Sequence, residues 1–277
     1  MWEKEKVLIT VKTYPNLSNA YEELVCTAGI REDGSWIRLY PIPYRHMDYD
    51  RQFKKYQWIE VLTKKRTEDM RPESYEPRCD TFQVGEFIGT QNNWRERKRH
   101  VLRQVHTDLA NLIDEAHNHR LSLAVFKPAQ FLDFKAKPVS EDKRAKYQRK
   151  MKKIMSQREQ LKLMDDEPKQ IKLVDQPDYN FYYTIKDGGG KRRTMQIEDW
   201  EIQALYRNCL SSNDPNREEK EQAVAKVCQK YWDDHALTKD LHLFVGTTLE
   251  FHMRKVSNPF TIIGTFYPGK EAQSDLF

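Results

Sequence analysis

Apolar residues at strand-like spacing dominate the first sixty residues of the chain. Residues 7–11 form a β-branched run typical of a buried strand. Residues 24–30 and 36–40 are apolar and flank the turn sequence at 32–35, where Asp-Gly between two apolar runs predicts a hairpin. Residues 56–62 supply a further strand. The pattern therefore predicts a compact β-barrel at the start of the chain.

The second hairpin strand separates two kinds of side chain. Ile37 and Leu39 point to one face, which we expect to be core, whereas Trp36, Arg38 and Tyr40 point to the other. An aromatic, arginine, aromatic row is suited to stacking bases and reaching a phosphate. It is equally the pattern of a sheet face covered by another part of the protein, and the sequence leaves both interpretations open.

A different periodicity follows. Apolar positions between residues 101 and 116 recur at helical spacing and predict one long helix, and residues 121–126 predict a strand. Residues 181–186 alternate, and Asp187-Gly188-Gly189-Gly190 then turns the chain into a basic return strand. Two helices are predicted over about 197–210 and 216–235, and two strands over 241–245 and 260–267.

These elements predict an α+β protein in which a basic helix joins a β-barrel-like N-terminal half to a mixed helix and strand C-terminal half. The expected organisation is a β-rich half with one long helix (1–134), a basic helical segment (135–165), an α+β half (166–270) and a flexible C-terminal peptide (271–277). The hairpin pattern GIREDGSWIRLYPIPYR resembles the small barrels of the PUA and ASCH kind. That resemblance implies binding of RNA or of flipped, modified bases.

Positive charge is concentrated in the middle of the chain. Residues 135–163 contain eleven Lys or Arg against three Asp or Glu, a local balance of +8, whereas the whole chain carries +5 and the remainder therefore sums to −3. A localised basic stripe is typical of a protein that meets a polyanion, although such a run can also be a solvated helix face. The residues expected to contact nucleic acid are Trp36, Arg38, Tyr40, Arg45, Lys146, Arg149, Lys150, Lys153, Lys191, Arg192 and Arg193.

Composition and cysteine spacing bear on whether the protein holds a metal, disulfides or a membrane segment. The four cysteines lie far apart, with no C-x-x-C pair, so neither a structural zinc nor a disulfide framework is expected, and no cofactor is predicted. No run of eighteen apolar residues occurs, and the first ten residues lack a signal-peptide core. We expect a protein of the cytoplasm that does not enter the membrane.

Two sets of residues are candidates for catalysis. Asp199 opens a helix with two neighbouring carboxylates, which either stabilise the helix dipole or place Asp199 in a cleft as a base. Asp240 and His242 lie two apart on a strand, where they can act as an acid and base pair or form an ordinary surface pair.

The chain ends in Gln273-Ser274-Asp275-Leu276-Phe277, which resembles the peptide that holds the bacterial sliding clamp, with Gln273, Leu276 and Phe277 as its contacts.

These features favour a bacterial protein that binds double-stranded DNA and acts on a flipped or modified base. Hydrolysis of an N-glycosidic bond, as in a metal-independent DNA glycosylase of repair or phage defence, fits them best, because that chemistry needs an aromatic slot and a carboxylate. A non-catalytic reader of modified bases or RNA is the alternative. A nuclease using Asp133, Glu141 and Lys143 is a third, although its metal chemistry favours strand positions for the last two.

Overall fold

The described part of the protein contains two seven-stranded β-sheets, and helices lie between their strands along the chain. The computed structural model describes residues 1–162, 172–210 and 215–271. The expected α+β class, with a barrel in the N-terminal half and mixed structure in the C-terminal half, is confirmed.

The first sheet forms a closed barrel of five strands. Strand β5 pairs with both β6 and β1, so the order β1-β3-β4-β6-β5 returns to β1, while β2 extends β3 and β7 extends β5. The strands are β1 (Glu3–Lys12), β2 (Asn16–Ser18), β3 (Glu22–Arg31), β4 (Trp36–Ile42), β5 (Gln57–Lys65), β6 (Ser74–Pro77) and β7 (Gln83–Phe87). Three short 3-10 helices lie between them, at Tyr44–His46, Tyr49–Arg51 and Cys79–Thr81.

The barrel interior follows the alternation of β4. Ile37 and Leu39 are fully buried inside it together with Val7 and Phe53, as the sequence predicts for that face. Gly29 lies opposite Ile37, and a Cβ there would stand 2.4 Å from Val7 Cγ1. Only glycine therefore allows β1 and β3 to approach each other at this point.

The second sheet has the order β10-β11-β12-β14-β13-β9-β8, with parallel pairing only at β12/β14 and β8/β9 among the described residues. Its strands are β8 (Val105–His106), β9 (Leu123–Phe126), β10 (Gln130–Pro138), β11 (Tyr179–Lys186), β12 (Arg192–Ile197), β13 (His242–Thr247) and β14 (Phe260–Phe266). The helices are α1 (Gln91–Val101), α2 (Leu109–His117), α3 (Glu141–Lys162), α4 (Trp200–Asn208), α5 (Arg217–Cys228), which continues as a π-helix over Gln229–Ala236, and α6 (Leu249–Met253).

The expected single helix over residues 101–116 is two helices separated by a strand. Helix α1 ends at Val101, and Val105 and His106 then pair with β9 as the edge strand β8. Asp108 starts α2 as its N-cap, with its carboxylate accepting a hydrogen bond from the Ala110 N–H. The apolar positions at Val105 and Leu109 matched a helical spacing, but pairing at the sheet edge determines the local structure.

The expected boundary at residue 134 falls inside β10, which runs on to Pro138. Helix α3 begins at Glu141, a few residues after the predicted start of the basic segment. The hairpin β11/β12 and helices α4 and α5 lie where the sequence predicts them.

The two faces of the second sheet have different neighbours. Helices α2, α4 and α5 cover one face through a core that includes Leu112, Ile202 and Val227. The opposite face packs against the barrel where Phe244 and Ile263 meet a cluster of barrel residues, Val11, Ala28 and Ile30. Along β10–β12 that opposite face carries polar residues, since its alternate positions are Lys135, Lys137, Tyr182, Gln196 and Arg192.

Arg38 joins the barrel to the second sheet. Its side chain is 2 % exposed, and its guanidinium donates hydrogen bonds to Ser122 Oγ at 2.7 Å and to the Thr247 carbonyl at 3.3 Å. Ser122 in turn donates to the Glu73 carboxylate. A buried guanidinium of the barrel whose hydrogen-bond acceptors both belong to the second half fixes the angle at which the two halves pack.

We expect Arg38→Ala to lower the free energy of unfolding by about 3 kcal/mol, because it leaves buried acceptors without their donor. Urea denaturation measures this change. Arg192→Ala is the matched control, since Arg192 is exposed on β12 and its loss should change stability by about 0.5 kcal/mol at most. Equal effects of the two substitutions would contradict the role of Arg38 as the tie between the halves.

Candidate functional site

A cavity of about 640 Å³ lies where the barrel, helix α3 and the second sheet meet. The barrel contributes Arg38 and Tyr40 to its wall, and α3 contributes Tyr147 and Lys150. The end of β12 and the residues after it complete the wall. This first cavity has the size of pockets that hold a nucleotide-sized ligand.

Glu198 is the carboxylate at the end of β12. Its backbone is fixed on both sides, because its N–H donates to the Ile262 carbonyl at 2.7 Å and its carbonyl accepts from the Tyr14 N–H at 3.2 Å. Burial raises the pKa of Glu198, while the charge of Lys143 and a hydrogen bond from Thr261 act in the opposite direction. The side chain lines the first cavity and stays partly exposed there. A carboxyl group with a raised pKa in a cavity is suited to accepting and donating protons.

Positive charge outnumbers negative charge around this cavity. The lining cations are Arg38, Arg66, Arg71, Lys143 and Lys150, and the lining carboxylates are Asp69 and Glu198. Asp69 is already paired, because Arg71 donates to it at 2.6 Å and Ser74 Oγ donates at the same distance. Burial acts to raise the pKa of Asp69, but these hydrogen bonds outweigh it and hold that pKa well below its usual value. The remaining field favours an anionic ligand.

Aromatic rings and amides form the rest of the wall. Tyr40 lies half-buried with the Arg66 guanidinium 5.2 Å from its ring centroid. Gln203 is 4 % exposed, and its amide nitrogen donates to the Tyr179 carbonyl at 3.0 Å. The Gln203 Oε1 atom is buried and has no hydrogen-bond partner within the described residues, although the residue itself lines the cavity.

Helix α3 places the basic stripe beside the cavity. Its apolar edge, formed by Tyr147, Met151 and Ile154, packs on Leu17 and Leu173. At 100° per residue, Lys143 and Lys150 lie next to that edge, on the side that lines the cavity. The exposed residues Lys146 and Lys153 lie further round on the same side, and Arg149 lies beyond them. The stripe therefore continues outward from the cavity wall.

The residues predicted on the barrel face have different environments. Trp36 packs edge-on against Phe244, with ring centroids 5.8 Å apart, and Arg38 is buried as described, so the second sheet covers this part of the face. Tyr40 and Arg38 line the cavity. Arg45 is engaged by the Glu23 carboxylate at 2.7 Å and does not line it.

Asp199 lies next to Glu198 but points away from the cavity. It is 1 % exposed and is the N-cap of α4, with its Oδ1 accepting from the Glu201 N–H. Lys55 Nζ lies 2.7 Å from Glu201 Oε2 and 3.7 Å from Asp199 Oδ2, so two carboxylates share one buried ammonium. Burial raises the pKa of Asp199 to about 7, with the charge of Glu201 adding to the rise and that of Lys55 opposing it.

Asp240 and His242 are also outside the first cavity. Asp240 pairs with Lys127, and His242 is 4 % exposed with its Nδ1 3.0 Å from the Asp240 carbonyl oxygen. Burial lowers the pKa of His242. The structure therefore does not bring this pair together with Tyr40.

The basic hairpin lies apart from the cavity as well. The Gly188 N–H donates to the Thr107 carbonyl at 2.7 Å, which packs the glycine-rich tip against the residues before α2. Lys191 and Arg192 are exposed and Arg193 is partly buried. The clamp-like residues Gln273, Leu276 and Phe277 lie outside the described residues.

Sequence reasoning missed Glu198, although a signal was present. Met195 and Ile197 are buried in the core of the second sheet, so the alternation of β12 places Gln196 and Glu198 together on the opposite face. If the alternation of β12 is continued beyond Ile197, Glu198 faces the polar side of the sheet and Asp199 faces the opposite side.

The described residues form neither a cluster of metal ligands nor a membrane-spanning helix. Within residues 1–162, 172–210 and 215–271, no group of three His, Cys, Asp or Glu side chains is placed to hold a metal ion. The helices of these same ranges include none with the length and apolar character needed to cross a membrane.

Comparison with protein families divides the chain near the end of α1. Residues 3–103 match a family described as a domain of unknown function (DUF8758), and residues 103–277 match a second described as a domain of unknown function (DUF8757). The second match spans more than half of the sequence. The chain belongs to the DUF8757 family. The two matches meet between α1 and β8, where the chain passes from the first sheet to the second, and a search of curated proteins found no match.

The cap role of Asp199 predicts how its variants behave. Asp199→Asn should keep the hydrogen bond to Glu201, whereas Asp199→Ala should lower the free energy of unfolding by about 1 kcal/mol. Because the pKa of Asp199 is raised to about 7 from an ordinary 3.8, its contribution to stability is present below pH 3.8 and is lost as the pH rises through 7.

Asp199→Asn should therefore gain stability relative to the native chain between pH 5 and pH 8, by about 1 kcal/mol or more, as measured by urea denaturation at both values. A stability difference that stays constant with pH would contradict the assignment of a buried, proton-holding Asp199.

Proposed function

We propose that the protein binds DNA, takes a flipped or modified nucleotide into the first cavity and hydrolyses its N-glycosidic bond. The observation that carries this proposal is Glu198, a carboxyl group with a raised pKa in a positively charged cavity beside the basic helix α3. The charge favours a nucleotide, and the carboxyl group supplies the chemistry.

The surroundings of the cavity fit a strand of nucleic acid. Lys146 and Lys153 extend the positive charge of Lys150 along α3, where phosphates on either side of a flipped nucleotide can lie. The polar face of β10–β12 adjoins the cavity through Gln196, which lines it. On that face Tyr182 is partly exposed, and Lys137 Nζ lies 5.3 Å from its ring centroid. An accessible ring beside a lysine is typical of surfaces that stack bases.

The wall of the cavity is suited to an extruded base. Tyr40 offers a ring to stack on, and Gln203 in the wall carries an unpaired acceptor, Oε1, that a small rotation of its side chain would turn toward an N–H group on a base edge. Enzymes that act on bases read the extruded base in this way, by stacking and by hydrogen bonds to its edge. The cavity wall thus combines a stacking surface with a hydrogen-bonding group.

In the proposed hydrolysis, Glu198 acts on the water and on the leaving base. Water adds its oxygen to the sugar carbon, the bond from that carbon to the base nitrogen breaks, and the base leaves with a proton. Glu198 accepts the proton of the attacking water and returns it to the leaving base, and its charge stabilises the oxocarbenium-like sugar. The nearby cations hold the phosphates, so the sugar stays beside the carboxylate.

A non-catalytic reader of modified bases is the second candidate. The closed five-stranded barrel supports it, because the small barrels of the PUA and ASCH kind that the hairpin sequence resembles bind RNA or flipped, modified bases. The glycosylase and the reader would use the same cavity. Only the glycosylase would leave sugars without a base in the DNA.

Two further parts of the proposal concern place and partner. We propose that the protein acts in the cytoplasm of a bacterial cell, and that its C-terminal sequence holds the sliding clamp through Gln273, Leu276 and Phe277. The clamp would keep the protein near DNA and raise its local concentration there.

The neighbouring carboxylates provide a matched test of the catalytic group. Glu198→Gln should lower the formation of abasic sites by roughly 10²-fold or more, whereas Asp199→Asn should keep the native rate within about threefold. Plasmid and modified phage DNA incubated with each variant and then cleaved with alkali gives the measurement. The native rate should also fall as the pH is lowered through the raised pKa of Glu198, since the carboxylate is then protonated.

Two results would contradict this assignment in different ways. Native protein that binds modified DNA but yields no abasic sites would leave the reader in place of the enzyme. Glu198→Gln protein with full activity would remove Glu198 from the mechanism while leaving the enzyme.

The basic side of α3 predicts the salt dependence of DNA binding. Lys146→Ala with Lys150→Ala should flatten the slope of log affinity against log salt by up to about two units, because each phosphate contact contributes about 0.9. Lys152→Ala is the control, since Lys152 is exposed on the far side of the same helix. Fluorescence anisotropy at several salt concentrations measures the slopes, and equal small effects would show that the stripe is a solvated helix face.

A further inference from the structure

A second cavity, of about 330 Å³, lies on another side of the protein and shares no lining residue with the first. It is formed by the end of the barrel, the start of α1 and the last strand of the second sheet. Four aromatic residues line it, Tyr56, Phe87, Trp94 and Tyr267, and its cations include Arg97.

Arg97 is a buried cation without an ion-pair partner among the described residues. Its side chain is 6 % exposed, and its Nε donates to the Ile88 carbonyl at 2.9 Å. The guanidinium carbon lies 4.0 Å from the ring centroid of Tyr56 and 4.9 Å from that of Trp94. Burial lowers the pKa of Arg97, which reflects the cost of keeping a charge away from water. Arg97 lines the cavity, and the charge of Glu201 offsets part of that cost, but no carboxylate lies within ion-pair distance of Arg97 among the described residues.

The one carboxylate in the wall is already engaged. Glu201 Oε2 lies 2.7 Å from Lys55 Nζ, and Lys55 also donates to the Thr265 carbonyl. Lys54 adds another positive charge to the wall. Three cations against one paired carboxylate leave the cavity positive, so it favours an anion.

The aromatic part of the wall is held rigidly. Asn92, Asn93 and Trp94 all have positive φ angles, between 50° and 62°. The Asn93 amide exchanges two hydrogen bonds with the backbone of Gly269, at 2.7 and 2.9 Å, and this contact fixes the turn. Trp94 is thereby positioned beside Arg97, while Phe87 is 49 % exposed at the edge of the cavity.

We propose that this second cavity binds a small organic oxyanion, with its carboxylate or phosphate against the Arg97 guanidinium and its flat, apolar part against Phe87 and Trp94. A guanidinium presents two parallel N–H groups that match the two oxygens of such an anion. The cavity volume admits a ring with one charged group, and the exposed ring of Phe87 gives it a surface to pack on.

Isothermal titration calorimetry with three probes tests the proposal. The probes are inorganic phosphate, adenosine 5′-monophosphate and benzoate, which separate the charge from the ring and the phosphate from the carboxylate. We expect saturable binding of at least one ring-bearing probe, about tenfold tighter than inorganic phosphate. Binding of none of them, or of inorganic phosphate as tightly as both others, would overturn the proposal.

Three variants locate the binding. Arg97→Lys keeps the charge but loses the paired N–H groups, so it should weaken the ring-bearing probe by about tenfold or more. Phe87→Ala removes an exposed ring with little risk to folding and should weaken that probe while leaving inorganic phosphate unchanged. Lys226→Ala is the control, since Lys226 is exposed and lines neither cavity, and it should bind like the native protein. Native affinity in both Arg97→Lys and Phe87→Ala would place the ligand outside the second cavity and overturn the proposal.

Thermal melting gives an independent reading. The ring-bearing probe should raise the melting temperature of the native protein, because it binds only the folded state, and should not raise that of Arg97→Met. Without the probe, Arg97→Met should melt at or above the native temperature, since it removes a buried unpaired charge and keeps the apolar stem. If Arg97→Met melts far below the native protein without the probe, and the probe does not raise the native melting temperature, Arg97 has a packing role only.

Discussion

The packing of the barrel against one part of the second sheet determines where the first cavity lies. Phe244 and Ile263 fill the space against Val11 and Ala28, and the buried Arg38 ties β4 to Ser122 and Thr247 on the other side. The contact is apolar in its centre and hydrogen-bonded at one edge. Where it ends, near Tyr40, the two halves diverge and helix α3 closes the gap, so the first cavity is a direct result of how far the contact extends.

Buried charge is distributed unevenly around this contact. The Asp69 and Arg71 pair and the Lys55, Asp199 and Glu201 cluster are internally compensated, because each buried cation has a carboxylate within ion-pair distance. Glu198, Arg38 and Arg97 have no oppositely charged group within ion-pair distance among the described residues. Glu198 and Arg38 line the first cavity, and Arg97 lines the second. Uncompensated charge costs stability, so its position indicates where the protein is prepared for a partner that it does not itself supply.

Much of the fold was predictable because strand alternation and turn chemistry are local. The hairpin around Gly34, the core face of β4 and the strands of the second half all follow from neighbouring residues. The closure of the barrel by β1 and β5 depends on a pairing across some fifty residues, and the edge strand β8 depends on β9, so neither can be read from local pattern.

The candidate site was predictable only in part for the same reason. Tyr40 and Lys150 were expected to bind nucleic acid and do line the cavity, but their meeting with Glu198 requires three separate elements to pack together. The sequence points to Asp199 as a base because it opens the acidic first turn of α4, but the helix itself uses the Asp199 carboxylate as its cap. Adjacent residues on a strand point to opposite sides, so a single position separates a carboxylate that caps a helix from one that lines a cavity.

The backbone at position 198 is held by Ile262 and Tyr14 through main-chain atoms alone. Its location in the cavity therefore does not depend on which side chain it carries. A change of one codon at this position could exchange a carboxylate for an amide or an alcohol while the surrounding walls keep their shape. The same scaffold could in this way give rise to proteins that cleave what they hold and proteins that only retain it, and activity could be gained or lost within the family without any rearrangement of the fold.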